Sequence, residues 1–345
     1  MAGIASIFQC LHSGFMTDNH IPTDPDSLLS LVESLKENYQ PPPPQPPRRG
    51  KKRDFSALSF LLLAAVAVTL RTFRNSELHR LLEKDGTLRS ALGFSRVPHR
   101  TQIGRRLAGL IAEAEQQIAL LGKQLVEPVQ PPDDRSQLSA IDGRMYKASG
   151  PAWHKKDRLK QRLPADLRNV DTDSQWSKSG YRGWIQGYRL SVQCLVFPHP
   201  VPIFACWRAN NENEAQVALE AIQAGELPIM DVLLGDQTYA SPDLEAAYEQ
   251  AGGWLLTPKQ LPKKRRSWKH AVYEYRKESI ELLFQRIIQA SDLKACQVKG
   301  EGRNGAFVLA SVWLYQSCYL DDYRSGKPLA HVKEHVDCAR WRIRT

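Results

Sequence analysis

The sequence predicts a mixed α/β fold: a mixed sheet flanked by helices and preceded by a helical region. Three observations predict it. An apolar run from Ile229 to Leu234 leads into Gly235-Asp236 and then into a helical pattern from Asp243 to Gln250, as a buried strand turning into a helix does. A β-rich stretch, Trp184 to Phe197, is joined through Pro198-His199-Pro200 to a second, Val201 to Trp207, in the manner of a hairpin. Residues 55 to 125 read as almost wholly helical, so strands begin only beyond a proline-rich joint at Pro128 to Pro132.

Composition narrows the function classes. A chain of 345 residues, 42% of them hydrophobic, can bury a sizeable core. Its net charge of +10 favours a polyanionic partner, although charge alone does not single out nucleic acid. The six cysteines are scattered without a CxxC pair, which argues against a disulfide framework and a zinc site and makes a reducing cytoplasm the expectation. The longest apolar run, Phe55 to Leu70, contains Ser56, Ser59 and Thr69 and reads as a buried helix, not a membrane span. The N-terminus lacks a basic region ahead of an apolar one, so no secretion signal is expected.

In chain order, Asp26-Ser27 caps a short amphipathic helix through Leu28, Leu31, Val32 and Leu35. Pro41 to Pro47 forms a polyproline linker, and Arg48 to Arg53 is a basic run beside it, either an electrostatic arm or a solvated tether. Helices follow over Phe55–Phe73, Ser76–Lys84, Leu88–Leu92 and Thr101–Gln124, the last carrying Arg105-Arg106; glycine turns between short helices fit a helix-turn-helix-like DNA module or any small helical bundle. Leu138 to Ile141 is a short strand ending on Asp142-Gly143. Asp171 and Asp173 stand in a polar loop before the hairpin, where Trp184 and Trp207 look like core residues. Helices are expected over Asn211–Ala224, Tyr273–Ala290 and Gly305–Tyr319, with a strand at Gly253–Thr257 and a basic loop at Lys259–Lys269. The expected organisation is an N-terminal segment 1–54, a helical DNA-binding domain 55–127, a linker 128–136, a catalytic domain 137–325 and a basic tail 326–345.

Three acids carry the chemistry. Asp142 and Asp236 end strands, where open α/β sheets place their sites; taken alone, Asp236 is also a helix-capping residue. Glu281 borders the apolar stripe Ile280, Leu283, Phe284 and Ile287, so it faces the sheet margin and calls for positive charge nearby. Converging carboxylates suit Mg²⁺ or Mn²⁺, and two such ions support in-line phosphoryl transfer. Asp171 and Asp173 are rivals for the role of Asp142, and Glu278 for that of Glu281.

These stretches, in order, resemble the ribonuclease-H-like catalytic domain of bacterial insertion-sequence transposases of the Asp-Asp-Glu class. The matching runs are Ala140-Ile141-Asp142-Gly143, Val170 to Trp176, Gly187-Tyr188-Arg189-Leu190, Gly235 to Tyr239, Ile280 to Arg286 and Val298-Lys299-Gly300. The resemblance implies that Asp142, Asp236 and Glu281 are catalytic metal ligands for two Mg²⁺ or Mn²⁺ ions. It also implies a DNA transposase that binds terminal inverted repeats, hydrolyses a phosphodiester and joins the freed 3′-hydroxyl to target DNA. A homodimer on paired ends, in a bacterial cytoplasm, is the further implication. The short interval from Asp236 to Glu281 leaves no room for an inserted β-rich domain. The family places a tyrosine seven residues before its glutamate, an arginine four before and a lysine seven after; those positions here are Glu274, Lys277 and Ile288, with Tyr273, Tyr275 and Arg276 close by. The first motif reads Asp-Gly-Arg where relatives often have Asp-Ser-Thr.

Duplex DNA is the expected partner. Its expected contacts are Lys263, Lys264, Arg265, Arg266, Trp268 and Lys269 in the basic loop, Arg276 and Lys277 before Glu281, Tyr239 after Asp236, and Arg105 and Arg106 in the helical region. A metal-dependent nuclease that cuts without joining, and a transposase-derived DNA-binding protein without catalysis, are the alternatives.

Overall fold

The structure, a computed structural model, describes residues 27–41, 55–126 and 137–341, apart from 166, 181 and 264–266. The proline stretches 42–47 and 128–132, the basic run 48–53 and Lys264, Arg265 and Arg266 therefore lie outside the described residues.

Six helices come first: α1 (Ser27–Glu37), α2 (Ala57–Leu70), α3 (Asn75–Lys84), α4 (Gly86–Ala91), α5 (Arg100–Ala108) and α6 (Ile111–Val126). Ser56 caps α2, its hydroxyl accepting the Ser59 N–H at 3.0 Å, and nearly every side chain of α2 is buried, as an all-apolar helix requires. Among the described residues no single helix is long and apolar enough to cross a membrane. The single helix expected over Thr101–Gln124 is two. Gly109 breaks it, and the apolar faces of α5 and α6 then pack separately.

The sheet is built from β1 (Leu138–Lys147), β2 (Gln175–Ser179), β3 (Gly183–Leu195), β4 (Val201–Ala209), β5 (Val232–Leu234) and β6 (Trp254–Leu256). Between them lie α7 (Lys155–Leu159), α8 (Glu214–Gln223) and α9 (Pro242–Gln250). β1, β5 and β6 run parallel, whereas β3 is antiparallel to β1, β2 and β4. β3 is long enough to pair with β4 over Tyr188–Leu195 and with β2 over Gly183–Gly187, so the β2–β3 ribbon continues beyond the rest of the sheet. The chain closes with α10 (Trp268–Arg276), a π-helical turn at Lys277–Glu281, α11 (Leu282–Ser291), α12 (Glu301–Arg324) and α13 (Val332–Trp341).

A mixed sheet covered by helices, in this strand order, is the expected ribonuclease-H-like architecture. Buried side chains of α1, α2, α5, α6, the sheet, α11, α12 and α13 form one apolar core. A second core, under α8 and α9, covers the other face of the sheet. Gly122 lets α6 lie directly on β4: a Cβ there would stand 2.1 Å from the Ile203 carbonyl oxygen. The segment expected as a basic tail holds α13, whose Val336 and Ala339 are fully buried.

Several local expectations are corrected. Asp142 lies in the middle of β1, because pairing with β3 carries that strand on to Lys147. The polar loop before the hairpin contains the strand β2. Trp207 is a core residue as expected, but Trp184 is 63% exposed because its part of β3 belongs to the projecting ribbon. Asp171 does not stand free in a polar loop. It is buried, its Oδ1 accepts the Tyr188 hydroxyl at 2.7 Å and its Oδ2 accepts the Gly300 N–H at 3.0 Å, which fixes the start of α12. Asp173 accepts the Glu301 N–H at 3.3 Å in the same clasp.

Candidate active site

The parallel pairing of β1 with β5 ends at Ala140 opposite Leu234. Asp142 and Asp236 each lie two residues beyond that last pair, so neighbouring strands deliver both carboxylates to one edge. Asp236 fulfils both of its sequence readings at once. Its Oδ1 caps the turn Gln237–Tyr239, accepting the Thr238 N–H at 2.8 Å and the Thr238 hydroxyl at 2.5 Å. Its Oδ2 makes no hydrogen bond among the described residues.

The third acid comes from the π turn. A π turn holds one residue more than an α turn, and Ser279 supplies a local cause: its hydroxyl donates to the carbonyls of Tyr275 (2.7 Å) and Arg276 (3.2 Å). In a regular α-helix five residues rotate a side chain about 140° away. Across a π turn they bring it back to nearly the same face, and Arg276 and Glu281 are five residues apart. The expected signature, a tyrosine seven and an arginine four residues before the glutamate, is offset by one position here. Tyr273 and Arg276 keep their mutual spacing and stand one position early relative to Glu281, with the π turn absorbing the offset.

Tyr273 and Arg276 reach the site. The Tyr273 hydroxyl donates to the Gly235 carbonyl at 3.1 Å, Arg276 Nε donates to that hydroxyl at 3.3 Å, and Arg276 Nη1 meets Asp142 Oδ2 at 3.2 Å. One chain of contacts thus ties the helix to both aspartate-bearing strands. Lys277, at the position four residues before Glu281 where the signature has arginine, is exposed and outside this chain of contacts. Glu281 is exposed too, where a margin position against the sheet was expected.

Electrostatics join the acids. Burial pushes the Asp142 carboxyl up to about 6; Arg276 and the Gly143 N–H oppose the rise, while Asp236 and Glu281 add to it. Both of the other acids are therefore near enough for their charge to bear on Asp142.

A fourth carboxylate, which sequence reading missed, stands behind them. Glu214 opens α8, is paired with Arg189 at 2.9 Å and accepts the Tyr239 hydroxyl at 3.2 Å. Burial raises its pKa, Arg189 opposes this, and Asp142 and Asp236 raise it further. Gly143 makes the approach feasible, since a Cβ there would stand 2.5 Å from Glu214 Oε2. The only sequence trace of this arrangement was Arg189 inside a family-like run and a cap-rich segment at Asn213-Glu214.

The donor set is all carboxylate oxygen, the kind that suits Mg²⁺ or Mn²⁺, and mutual repulsion at Asp142 is what a bound cation relieves. As placed, with Arg276 against Asp142, no three His, Cys, Asp or Glu side chains among the described residues converge on one ion position. The set therefore fits a divalent ion in kind, with Arg276 on one oxygen of Asp142.

The expected DNA contacts divide. Trp268 is 63% exposed and lies 5.7 Å from Trp254, with Lys269 over both rings at 6.0 and 5.0 Å, forming an aromatic and cationic patch. Lys263 and Arg105 are exposed. Arg106 serves the helical core: it donates to the Phe55 carbonyl at 3.3 Å and lies over the Phe60 ring. Tyr239 is fully buried with its hydroxyl on Glu214, so packing replaces its expected DNA contact.

No protein-family model matches the chain, and no curated protein is significantly similar to it. Two solved structures match the chain at low similarity. One is the piggyBac transposase in a synaptic complex with hairpin DNA, at 10% identity and a TM-score of 0.41, covering 93% of this chain and 79% of that one. The other is the Mos1 transposase in a paired-end complex with the left transposon end, at 13% identity and a TM-score of 0.21, covering 81% of each. At these values neither likeness bears on what this chain does.

Proposed function

We propose that the protein is a DNA transposase that cuts and joins phosphodiesters at the edge formed by Asp142, Asp236 and Glu281. The observation that supports this reading is that two parallel strands carry Asp142 and Asp236 to one edge, where the charges of Asp236 and Glu281 both add to the raised pKa of Asp142. Asp142, Asp236 and Glu281 would hold Mg²⁺ or Mn²⁺, which when bound supplies activation of the attacking oxygen and stabilisation of the leaving one. Arg276, released from Asp142, keeps its hold on Tyr273 and offers its guanidinium to a phosphate in place of the carboxylate. Tyr273 anchors that arginine to the backbone beside Asp236. Glu214, Arg189 and Tyr239 brace the floor of the site from the opposite face of β1. The substrate is duplex DNA at the element's terminal repeats, engaged as a homodimer that pairs two ends.

A plasmid carrying the DNA on both sides of the coding region, incubated with protein and Mg²⁺, tests the reading. Cleavage at the repeat ends followed by joining of the 3′ ends is the expected result. Cleavage without joining identifies a nuclease.

The Arg276–Asp142 ion pair favours a second reading, a DNA-binding protein that has lost catalysis and fills its metal position with a guanidinium. Duplex binding with no cleavage in Mg²⁺ or Mn²⁺ would establish it.

A further inference from the structure

The long crossing from β1 to β2 carries a cation-rich segment, and Trp153 fastens it to the β2–β3 ribbon. The Trp153 N–H donates to Gln186 Oε1 at 2.8 Å, and the Trp153 carbonyl accepts the Trp176 indole N–H at 2.7 Å. Gln186 and Trp176 are opposite one another in the β2–β3 pairing, so both point to one face of the ribbon. Lys178 and Trp184 are the next pair on that face, at the ribbon's free end, and both are exposed.

The same tryptophan closes the segment on itself. Its indole N–H donates to the Arg162 carbonyl at 3.1 Å, and the Arg158 guanidinium lies over its ring and bonds to the Ser174 carbonyl. Arg158 is thereby used in holding the segment. Lys156, Lys160 and Arg162 are not: all three are exposed and form no ion pair among the described residues. Asp157 is the one acid between Asp142 and Asp166 in the sequence, and none occurs between Asp173 and Glu212. Leu159 and Leu163 are 76% and 48% exposed, so the hydrogen bonds of Trp153, and not burial of these leucines, give the segment its place.

We infer that Lys156, Lys160 and Arg162, held by Trp153 beside Lys178 and Trp184, form a surface that grips the backbone of duplex DNA to one side of the acids. The inference rests on the transposase reading above for its partner. Exposed cations gathered with a single acid among them suit a row of phosphates. The exposed tryptophan of the ribbon adds an apolar plane against sugar or base. The location suits this role as well. Ala148, just past the end of β1, donates its N–H to the Gln186 carbonyl at 2.9 Å. The anchor of the segment is therefore six residues of extended chain from Asp142, about 20 Å. At about 3.4 Å per base pair, that is about six base pairs along a duplex.

Anisotropy of a short fluorescein-labelled duplex, followed across a salt series without divalent ions, tests it. K160Q and R162Q should each flatten the plot of log affinity against log salt by about one unit and weaken low-salt binding several-fold. W184A should weaken binding with the slope unchanged, because it removes no charge. K327Q removes an exposed charge on the α12–α13 turn and should leave slope and affinity at wild-type values. Both cation variants alter exposed side chains, and an unchanged Tm checks that each keeps the fold. Wild-type slope and affinity in K160Q and R162Q, or losses in K327Q as large as theirs, overturn this surface when the wild type binds well, and leave the transposase reading standing. Failure of the wild type to bind duplex DNA overturns both.

Discussion

At the residue scale, the site depends on contacts too close for the usual side chains. Gly143 is the clearest case, because Glu214 fills the space a Cβ would need. Gly143→Ala is therefore expected to lower stability by about 1–3 kcal/mol through overpacking, read as a fall in Tm. An unchanged Tm would mean that Glu214 is not held there. The raised Asp142 pKa gives a second prediction with a definite sign. A carboxyl raised to about 6 favours the folded state while it is protonated, and that contribution is lost as pH climbs from the ordinary carboxylate value through about 6. Asp142→Asn should match the wild type below about pH 4, gain on it steadily between pH 4 and 6, and be more stable at pH 7.5, by something of order 1–3 kcal/mol. Mg²⁺ should raise the wild-type Tm at pH 7.5 and not at pH 4.5, and should leave the Asn variant unmoved. Thermal melts at these pH values, with and without Mg²⁺, check all three statements.

At the scale of elements, the π turn reconciles the sequence with the site. Counted along an α-helix, the basic residue on the Glu281 face is Lys277; with the extra residue it is Arg276, which reaches Asp142. Deleting Lys277 removes the surplus residue and lets the helix run as α, with Arg276 and Glu281 then four apart and still on one face. The deletion is expected to keep the fold and shift Tm by no more than about 2 °C. Were the helix regular, the same deletion would rotate Leu283, Phe284 and Ile287 out of the core, and the protein would unfold at far lower temperature. Sequence reading did well where local pattern carries the information. The strand before Asp236, its following helix and the β3–β4 hairpin were all legible, because apolar runs bounded by turn residues need no distant partner. It failed where a residue's surroundings come from far along the chain. Asp171 read as part of a polar loop because its partner Gly300 lies 129 residues later. Glu214 drew no notice because only the fold brings α8 behind β1. A π turn leaves no periodic trace in so short a segment.

At the scale of the whole molecule, the helical N-terminal region and the sheet share a core, and α13 helps close it. The side chains of Val332, Val336 and Ala339 are buried, and Arg340 Nη2 donates to the Ala290 carbonyl at 2.8 Å while its Nε bonds to the Thr69 carbonyl. Ending the chain after Gly326 should therefore cost about 3–6 kcal/mol, since each buried valine contributes about 1.5–3 kcal/mol. Chemical denaturation of the truncated chain measures this, and a loss below 1 kcal/mol would make α13 the loose basic tail that composition suggested.

The central claim is that Asp236 supplies a charge for phosphodiester chemistry beyond capping its turn. Asparagine caps as well as aspartate does, so Asp236→Asn keeps the turn and removes only the charge. Mg²⁺-dependent cleavage of DNA carrying the flanking ends, measured side by side for wild type and variant, isolates that difference. The account predicts cleavage by the wild type and none by the variant, with equal binding of the ends and equal Tm. Cleavage by Asp236→Asn at the wild-type rate would contradict it.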